Sequence, residues 1–391
     1  MKHTTQIVES AAPQAIVERQ ALTSALAKVC NVVERRNTIP MLACAMLRGT
    51  DDGLLVRATD LDQEITAFVP GACDVRFAGA VDANKLLQLL KKAKPSDHVG
   101  MSLQAVDDEP AAKVILDFEG LEVTMNGLDP DDYPVDVLEI PADQASWSFD
   151  LSRGDLATAL SKVAFAMSSE ETRYYLNGAY MLVHAGALRF VATDGHRLGR
   201  FDLDGVFPEN LPGVIVPSGA IYNLQKILKA KDCADHVKVT MTESRAHFEI
   251  GDVKLATTFI DGTFANYERV IAISNDKLFS CNADDLAAAV KEVSVISSEK
   301  GRAVKFGLGL VECTISCTNP DSGSAKTSLA GHWDQEGLFE IGLNSQYVTD
   351  IMAVIGKGAD VVMAFNDYGS PVVITSPADA RFLAVQMPMR V

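Results

Sequence analysis

The densest polar cluster in the sequence is Ala192-Thr193-Asp194-Gly195-His196-Arg197-Leu198, preceded by Arg173-Tyr174-Tyr175-Leu176-Asn177-Gly178. A carboxylate that orients an imidazole makes a general base, so Asp194 and His196 are the pair from which a hydrolase would be built. The spacing argues for something plainer. Asp-Gly-His is first of all a turn, because Gly195 accepts positive φ between two strands, and no G-x-S-x-G, activated cysteine or metal-spaced histidine cluster accompanies it. G-x-x-x-x-G-K-[ST] and G-x-G-x-x-G are both absent, so a phosphate cradle has no support. The seven cysteines, at 30, 44, 73, 233, 281, 313 and 317, are odd in number and include no C-x-x-C. Neither a disulfide framework nor a zinc site is expected from them, and Cys313 and Cys317 read as two small half-buried residues on one face of a strand. The expectation is a protein without catalytic residues, metal or cofactor.

The elements that carry this cluster occur three times. Ala21 to Val29, Asp155 to Val163 and Asp285 to Val293 read as one amphipathic helix repeated at offsets of 134 and 130 residues. A second trio, Val81 to Leu87, Val216 to Tyr222 and Leu343 to Thr349, follows at a similar phase. Between them, Ala58-Thr59-Asp60, Ala192-Thr193-Asp194 and Cys317-Thr318-Asn319 each close a short β-rich run. Three landmarks in one order imply three tandem copies of one domain, and a period near 130 is too long for solenoid or propeller units. On a helical wheel Leu86, Leu87, Leu89 and Leu90 oppose Lys85, Gln88, Lys91 and Lys92; Ile221, Leu224, Ile227 and Leu228 oppose Asn223, Gln225, Lys226 and Lys229. Two helices per copy therefore pack on sheet, an α+β arrangement. The acidic, proline-bearing stretch Asp129 to Pro134 and the equivalent turn of the second copy, Asp261 to Tyr267, place the cuts near 144 and 276. The expected layout is a flexible tail over 1–15, then copies at 16–144, 145–276 and 277–391.

A chain of 391 residues with 48% hydrophobic content can bury several cores. No apolar run reaches the roughly 18 residues of a spanning helix, and Met1 to Gln20 lacks the apolar centre of a signal peptide, so the expected location is the cytoplasm. A net charge of −17 argues against a nucleic-acid partner by its sum, but its distribution argues for one. Lys85 to Lys94 holds four lysines and no acid, and Lys226, Lys229 and Lys231 repeat the arrangement, whereas the third copy's helix from Asn344 to Ile355 has no Lys or Arg. Basic helices in an acidic chain suggest one local anionic partner.

With Val214-Ile215-Val216-Pro217, Asp261-Gly262-Thr263-Phe264 and Met387-Pro388-Met389-Arg390-Val391 added in order, the chain resembles the sliding clamp family, the β subunit of bacterial DNA polymerase III, from about residue 16 onward. The resemblance implies clamp domains that form a ring as a head-to-tail homodimer, with helices lining a hole through which duplex DNA passes. Basic helices would hold that DNA through its phosphates without reading sequence. Carried over, the DNA contacts are Lys85, Lys91, Lys92, Lys226 and Lys229, with Arg36 from the loop after the first helix. The implied partners, besides DNA and a second copy, are the replicative polymerase, the clamp loader, and translesion polymerases and repair proteins that dock through short linear motifs.

By the same resemblance the peptide pocket comprises Arg173, Tyr174, Tyr175, Leu176, Thr193, Gly195, His196, Arg197, Leu198, Val270, Asn344, Tyr347, Val385, Met387, Pro388, Met389 and Arg390. Val295 and Ile296 are placed at the ring seam. Three residues depart from the family pattern: Ala265 stands where a proline is common, Gly369 where a side chain often lines the pocket, and Glu170 where a neutral group could help hold DNA. The leading expectation is a processivity clamp. The alternatives are a paralogue serving a specialised polymerase or regulatory role and, more remotely, the Asp194/His196 hydrolase.

Overall fold

The computed structural model describes residues 14–33, 38–93, 96–106, 109–134, 138–141, 143–271, 274–297 and 302–390. The first repeat runs β1 (Gln14–Glu18), α1 (Arg19–Val29), β2 (Cys44–Gly49), β3 (Gly53–Thr59), β4 (Gln63–Cys73), β5 (Ala78–Asp82), α2 (Ala83–Lys92), β6 (His98–Val106), β7 (Glu109–Phe118) and β8 (Leu121–Asn126). The second follows the same order: β9 (Trp147–Ser152), α3 (Arg153–Ala164), β10 (Gly178–His184), β11 (Ala187–Thr193), β12 (Arg197–Leu203), β13 (Val214–Pro217), α4 (Ser218–Leu228), β14 (His236–Met241), β15 (Arg245–Ile250) and β16 (Val253–Thr258), with a short helix α5 (Glu268–Ile271) after it. The third has β17 (Lys277–Asn282), α6 (Ala283–Ser294), β18 (Ala303–Leu308), β19 (Cys313–Asn319), β20 (Gly323–Leu329), an added β21 (Gly331–Trp333), β22 (Phe339–Asn344), α7 (Ser345–Ile355), β23 (Asp360–Phe365), β24 (Val372–Ser376) and β25 (Asp379–Gln386).

Three of the helices, α2, α6 and α7, start where a polar side chain takes an unpaired backbone N–H. Asp82 accepts from the N–H of Lys85, Asn282 from that of Asp284, and Asn344 from those of Gln346 and Tyr347. In α2, Leu86 and Leu90 are buried and Leu87 and Leu89 half-buried, while Lys85, Gln88, Lys91 and Lys92 are exposed. In α4 the wheel holds for Ile221, Leu224, Ile227 and Leu228 but not for Asn223, which is 5% exposed. Its neighbours one turn away, Ala220 and Ile227, are both buried, so position 223 belongs to the packed face.

The strands fall into two compact units, one holding β1 to β9 with β14 to β16 and the other β10 to β13 with β17 to β25. The first unit is built on a twelve-stranded antiparallel sheet, in which β4 lies beside β16 with Gln63 opposite Thr257 and Ala67 opposite Val253. The second contains a nine-stranded sheet, in which β12 lies beside β25 with Arg197 opposite Gln386, and a four-stranded sheet, β20-β19-β18-β22. The central repeat thus gives strands to both large sheets.

Gln14 and Ala15, expected in the tail, belong instead to β1, where Ala15 is fully buried; residues 1–13 lie outside the described residues. The stretch leading to the expected cut near 144 is packed: Tyr133 and Leu138 are buried, and Glu139 pairs with Lys254 at 2.9 Å and Arg57 at 3.5 Å. Cys313 and Cys317 share a face of β19 and are buried outright rather than half-buried. Among the described residues no helix is long and apolar enough to cross a membrane.

Candidate functional site

The polar cluster forms the turn between β11 and β12. Thr193 Oγ1 donates to the carbonyl of Arg197 at 2.7 Å, and the Gly195 N–H donates to Thr193 Oγ1 at 3.1 Å. Asp194 Oδ1 accepts from the N–H groups of His196 and Arg197 at 2.9 and 3.0 Å, and Oδ2 accepts from Arg197 Nε at 3.0 Å. The hydrolase reading of Asp194 and His196 fails on this geometry. The carboxylate caps the turn through the His196 backbone instead of orienting its ring.

The first repeat builds the same turn, with Thr59 Oγ1 donating to the Gln63 carbonyl and Asp60 accepting from the Asp62 and Gln63 N–H groups. There Leu61 adopts a φ of 79°; here Gly195 has a φ of 88°. A Cβ on Gly195 would stand 2.7 Å from Arg173 Nη1, so glycine leaves space that Arg173 occupies. Arg173 donates through Nη1 to the Asp194 carbonyl at 3.3 Å, and its Nε lies 3.1 Å from Glu170 Oε2. Glu170, expected to depart from the family pattern, pairs with this arginine.

An apolar groove of about 150 Å³ opens beside the turn. It is lined by the expected Leu176, Thr193, Gly195, His196, Arg197, Leu198, Val270, Val385 and Met387, and also by Ala265, Asn266 and Tyr267. The floor continues into a core of Val191, Leu198, Ile215, Phe264, Tyr267 and Val385. The groove follows from strand register: Val385 on β25 lies opposite Leu198 on β12, and just beyond, the Met387 N–H donates to the His196 carbonyl at 2.8 Å. Phe264 stacks on Tyr180 at 5.0 Å and meets Tyr267 edge-on at 6.4 Å, fixing the loop that forms the far wall. Sequence reasoning missed Asn266 and Tyr267, although it marked that loop as a turn and Ala265 as a departure.

Arg197 closes one side of the groove. Its guanidinium lies 4.3 Å from the Tyr347 ring centroid and 5.5 Å from that of Phe165, and it pairs with Asp350 on α7. Burial, with the Asp194 charge added, pushes the Tyr347 phenol upward. Asn344 spends its side-chain oxygen on the cap that positions Tyr347, and its carbonyl accepts from Gln386 Nε2 at 3.1 Å.

Pro388, Met389 and Arg390 do not line this groove. They border a more open cavity of about 650 Å³ with Lys305, Glu340, Ile341, Gly342, Tyr368 and Gly369. The Met389 N–H donates to the Gly342 carbonyl at 2.8 Å, so the same short tail serves both cavities. Tyr175 packs on the groove's core while Tyr174, its edge-on neighbour at 5.8 Å, is 55% exposed; neither lines the groove.

The lysines expected on DNA are at the surface. Lys85, Lys91, Lys92, Lys226 and Lys229 are exposed, with Lys85 3.2 Å from Asp82 and Lys226 donating to Asn31 Oδ1 at 3.2 Å. Arg36 lies outside the described residues. Val295, at the end of α6, is 82% exposed, and Ile296 is half-buried with its carbonyl accepting from Asn319 Nδ2. Among the described residues no cluster of His, Cys, Asp or Glu is placed to hold a metal.

Three α+β repeats joined sheet to sheet, with an apolar groove and basic helix faces, define a clamp-type protein rather than an enzyme. The comparisons with known proteins agree. The chain belongs to the DNA polymerase III beta subunit family, whose N-terminal, central and C-terminal domain models match residues 14–138, 150–266 and 268–390. It is 35% identical to a beta sliding clamp of Caulobacter vibrioides over 382 residues, covering 96% of this chain and 99% of that one. A beta sliding clamp of Pseudomonas aeruginosa is 30% identical, with the same coverage of both chains. The crystal structure of a Bartonella birtlesii sliding clamp bound to griselimycin matches with a TM-score of 0.89 at 34% identity, covering 97% of this chain and 100% of that one. A Pseudomonas aeruginosa clamp structure gives 0.87 at 28%, covering 97% and 100%. The protein is a DNA sliding clamp that serves polymerase processivity, and it is not an enzyme.

Proposed function

We propose that the groove beside His196 and Met387 receives short linear peptides from the replicative polymerase, the clamp loader, translesion polymerases and repair proteins, and that Arg173, Tyr174, Tyr175, Asn344, Tyr347, Pro388, Met389 and Arg390 extend that site. The observation that carries this reading is the groove itself: apolar side chains from Leu176, Leu198, Val270, Val385 and Met387 meet around a void, with Thr193, His196 and Arg197 also lining it. Apolar anchors fill such a void while the polar groups fix the peptide backbone. Two copies close head to tail around duplex DNA, with Lys85, Lys91, Lys92, Lys226 and Lys229, and Arg36 with them, on the phosphates. The exposure of these five lysines supports that assignment. Val295 and Ile296 belong to the seam, which the exposure of Val295 favours. The repeats divide near 144 and 276, and the protein works in the cytoplasm, where the chromosome is copied.

The test is peptide titration by fluorescence anisotropy together with primer extension on primed circular DNA. His196→Ala is expected to weaken the peptide about tenfold while leaving the dimer intact, as loss of one groove contact should. An unchanged peptide affinity would remove His196 from the site. Replacing Val295 and Ile296 together by aspartate is expected to give monomers by light scattering, and a persistent dimer would move the seam elsewhere.

A further inference from the structure

Each repeat ties the chain that follows its last strand back to one carbonyl. The Leu128 N–H donates to Ala80 at 2.9 Å, that of Ile260 to Ile215 at 2.9 Å, and that of Met389 to Gly342 at 2.8 Å. The three acceptors stand at the same place, two residues before the ends of β5, β13 and β22, and lie opposite Met46, Tyr180 and Lys305. In the first two repeats aromatic side chains then cover this face of the sheet. Tyr133 packs in one core with Met46 and Ala80, and Phe264 stacks on Tyr180 at 5.0 Å. In the third repeat the same place is the cavity of about 650 Å³, bordered by Lys305 and Glu340, which pair at 2.8 Å.

The face runs on beyond that cavity. Along β18 and β22, Val304, Phe306, Leu308, Ile341 and Leu343 are buried on one side, so Lys305, Gly307 and Gly309 share the other with Gly342, Glu340 and Leu338. Cβ atoms on Gly307 and Gly309 would stand 3.8 and 3.9 Å from Leu338 Cδ1, which places the leucine side chain over this face. Leu338 is 68% exposed, and the adjoining tip of the β18–β19 hairpin adds Leu310, 63% exposed, and Val311, fully exposed. Large apolar side chains grouped in water mark a surface that binds something.

Continuity with the groove says what that is. Met387 lines the groove, and Pro388 and Met389 border the cavity, so a chain leaving the groove along this tail meets the sheet face next. Leu338 lies four residues before Gly342. That is about 13 Å at the rise of a strand, which a few extended residues of a bound chain would span.

We infer that the outer face of the four-stranded sheet receives the stretch of a partner's chain that flanks the groove-bound motif, and that this stretch buries an apolar side chain against Leu310, Val311 and Leu338. Lys305 and Glu340 offer its backbone a donor and an acceptor on the way. A second contact on the same chain forms as an intramolecular step and tightens the whole. The inference rests on the reading of the groove as a peptide site.

Fluorescence anisotropy with the full chain tests it. For each proposed partner two peptides are used, one limited to the groove motif and one with about ten native residues more on each side. At least one longer peptide should bind about tenfold more tightly than its short form, as burial of one apolar side chain allows. The triple variant L310S/V311S/L338S should lose that gain while its affinity for the short peptides stays at wild type. Longer peptides that gain nothing, or a gain that survives the triple variant, would overturn the inference. So would a triple variant that shifts the oligomeric state in sedimentation equilibrium while keeping the gain, since the face would then lie between copies of the chain. Short peptides that fail to bind the wild-type chain would overturn the groove reading instead.

Discussion

The guanidinium of Arg197 lies over the Tyr347 ring, 4.3 Å from its centroid, and joins the β11–β12 turn to α7. The same side chain pairs with Asp194 in the turn and Asp350 on the helix. One planar cation therefore ties the turn that lines the groove to α7. Arg197→Lys retains the charge but loses the fork and the flat face. We expect it to weaken peptide binding about tenfold by anisotropy, with Tyr347→Phe near wild type; an Arg197→Lys affinity equal to wild type would show that charge alone suffices.

Gly195 and Gly120 separate backbone strain from side-chain crowding. Both have positive φ, 88° and 94°, but a Cβ on Gly120 meets nothing within 4 Å whereas one on Gly195 meets Arg173. Each alanine substitution should lower stability by about 1–2 kcal/mol in urea denaturation. Only Gly195→Ala should also reduce peptide affinity, through displacement of Arg173.

Charge on the helices should appear as salt dependence. Replacing Lys85, Lys91 and Lys92 together by alanine is expected to flatten the slope of log affinity for short duplex DNA against log salt by about 2–3, as about 0.9 per lost phosphate contact requires. An unaltered slope would place these lysines away from DNA.

His247 supplies a pH test in the first unit. Its ring Nε2 lies 2.7 Å from the Leu138 carbonyl, and burial, with Lys254 adding to it, holds the imidazole below its usual value, against the opposing effects of the Leu138 contact and of Glu139 and Glu249. A folded-state value below the unfolded one of about 6.5 means that the unfolded chain binds the proton first. The stabilisation is complete above about pH 6.5 and falls as the pH drops toward the folded value. His247→Gln should flatten the urea midpoint across that acidic window, and an unchanged pH profile would show that His247 contributes no slope.

The repeat was legible because helix periodicity and the Thr-Asp turn are local. Ala58-Thr59-Asp60 and Ala192-Thr193-Asp194 form the same hydrogen bonds in both copies. The expected groove residues on one turn and the strand beside it, His196 to Leu198 with Val385 and Met387, came together for that reason. Tyr267 and Asn266 were not foreseen, because their approach depends on a loop braced by Phe264 against Tyr180, a contact with no periodic signal. Asn223 was misplaced because a wheel ranks residues by polarity, and a buried amide is placed by its neighbours. Glu170 illustrates the same limit: its role rests on Arg173 folding back toward it.

The pairing of β4 with β16 has a bearing on how the chain is made. During synthesis β4 leaves the ribosome long before β16 exists, so the first repeat must wait with an open strand edge. Such an edge invites pairing with neighbouring nascent chains, which makes the interval before β16 emerges the time of greatest aggregation risk.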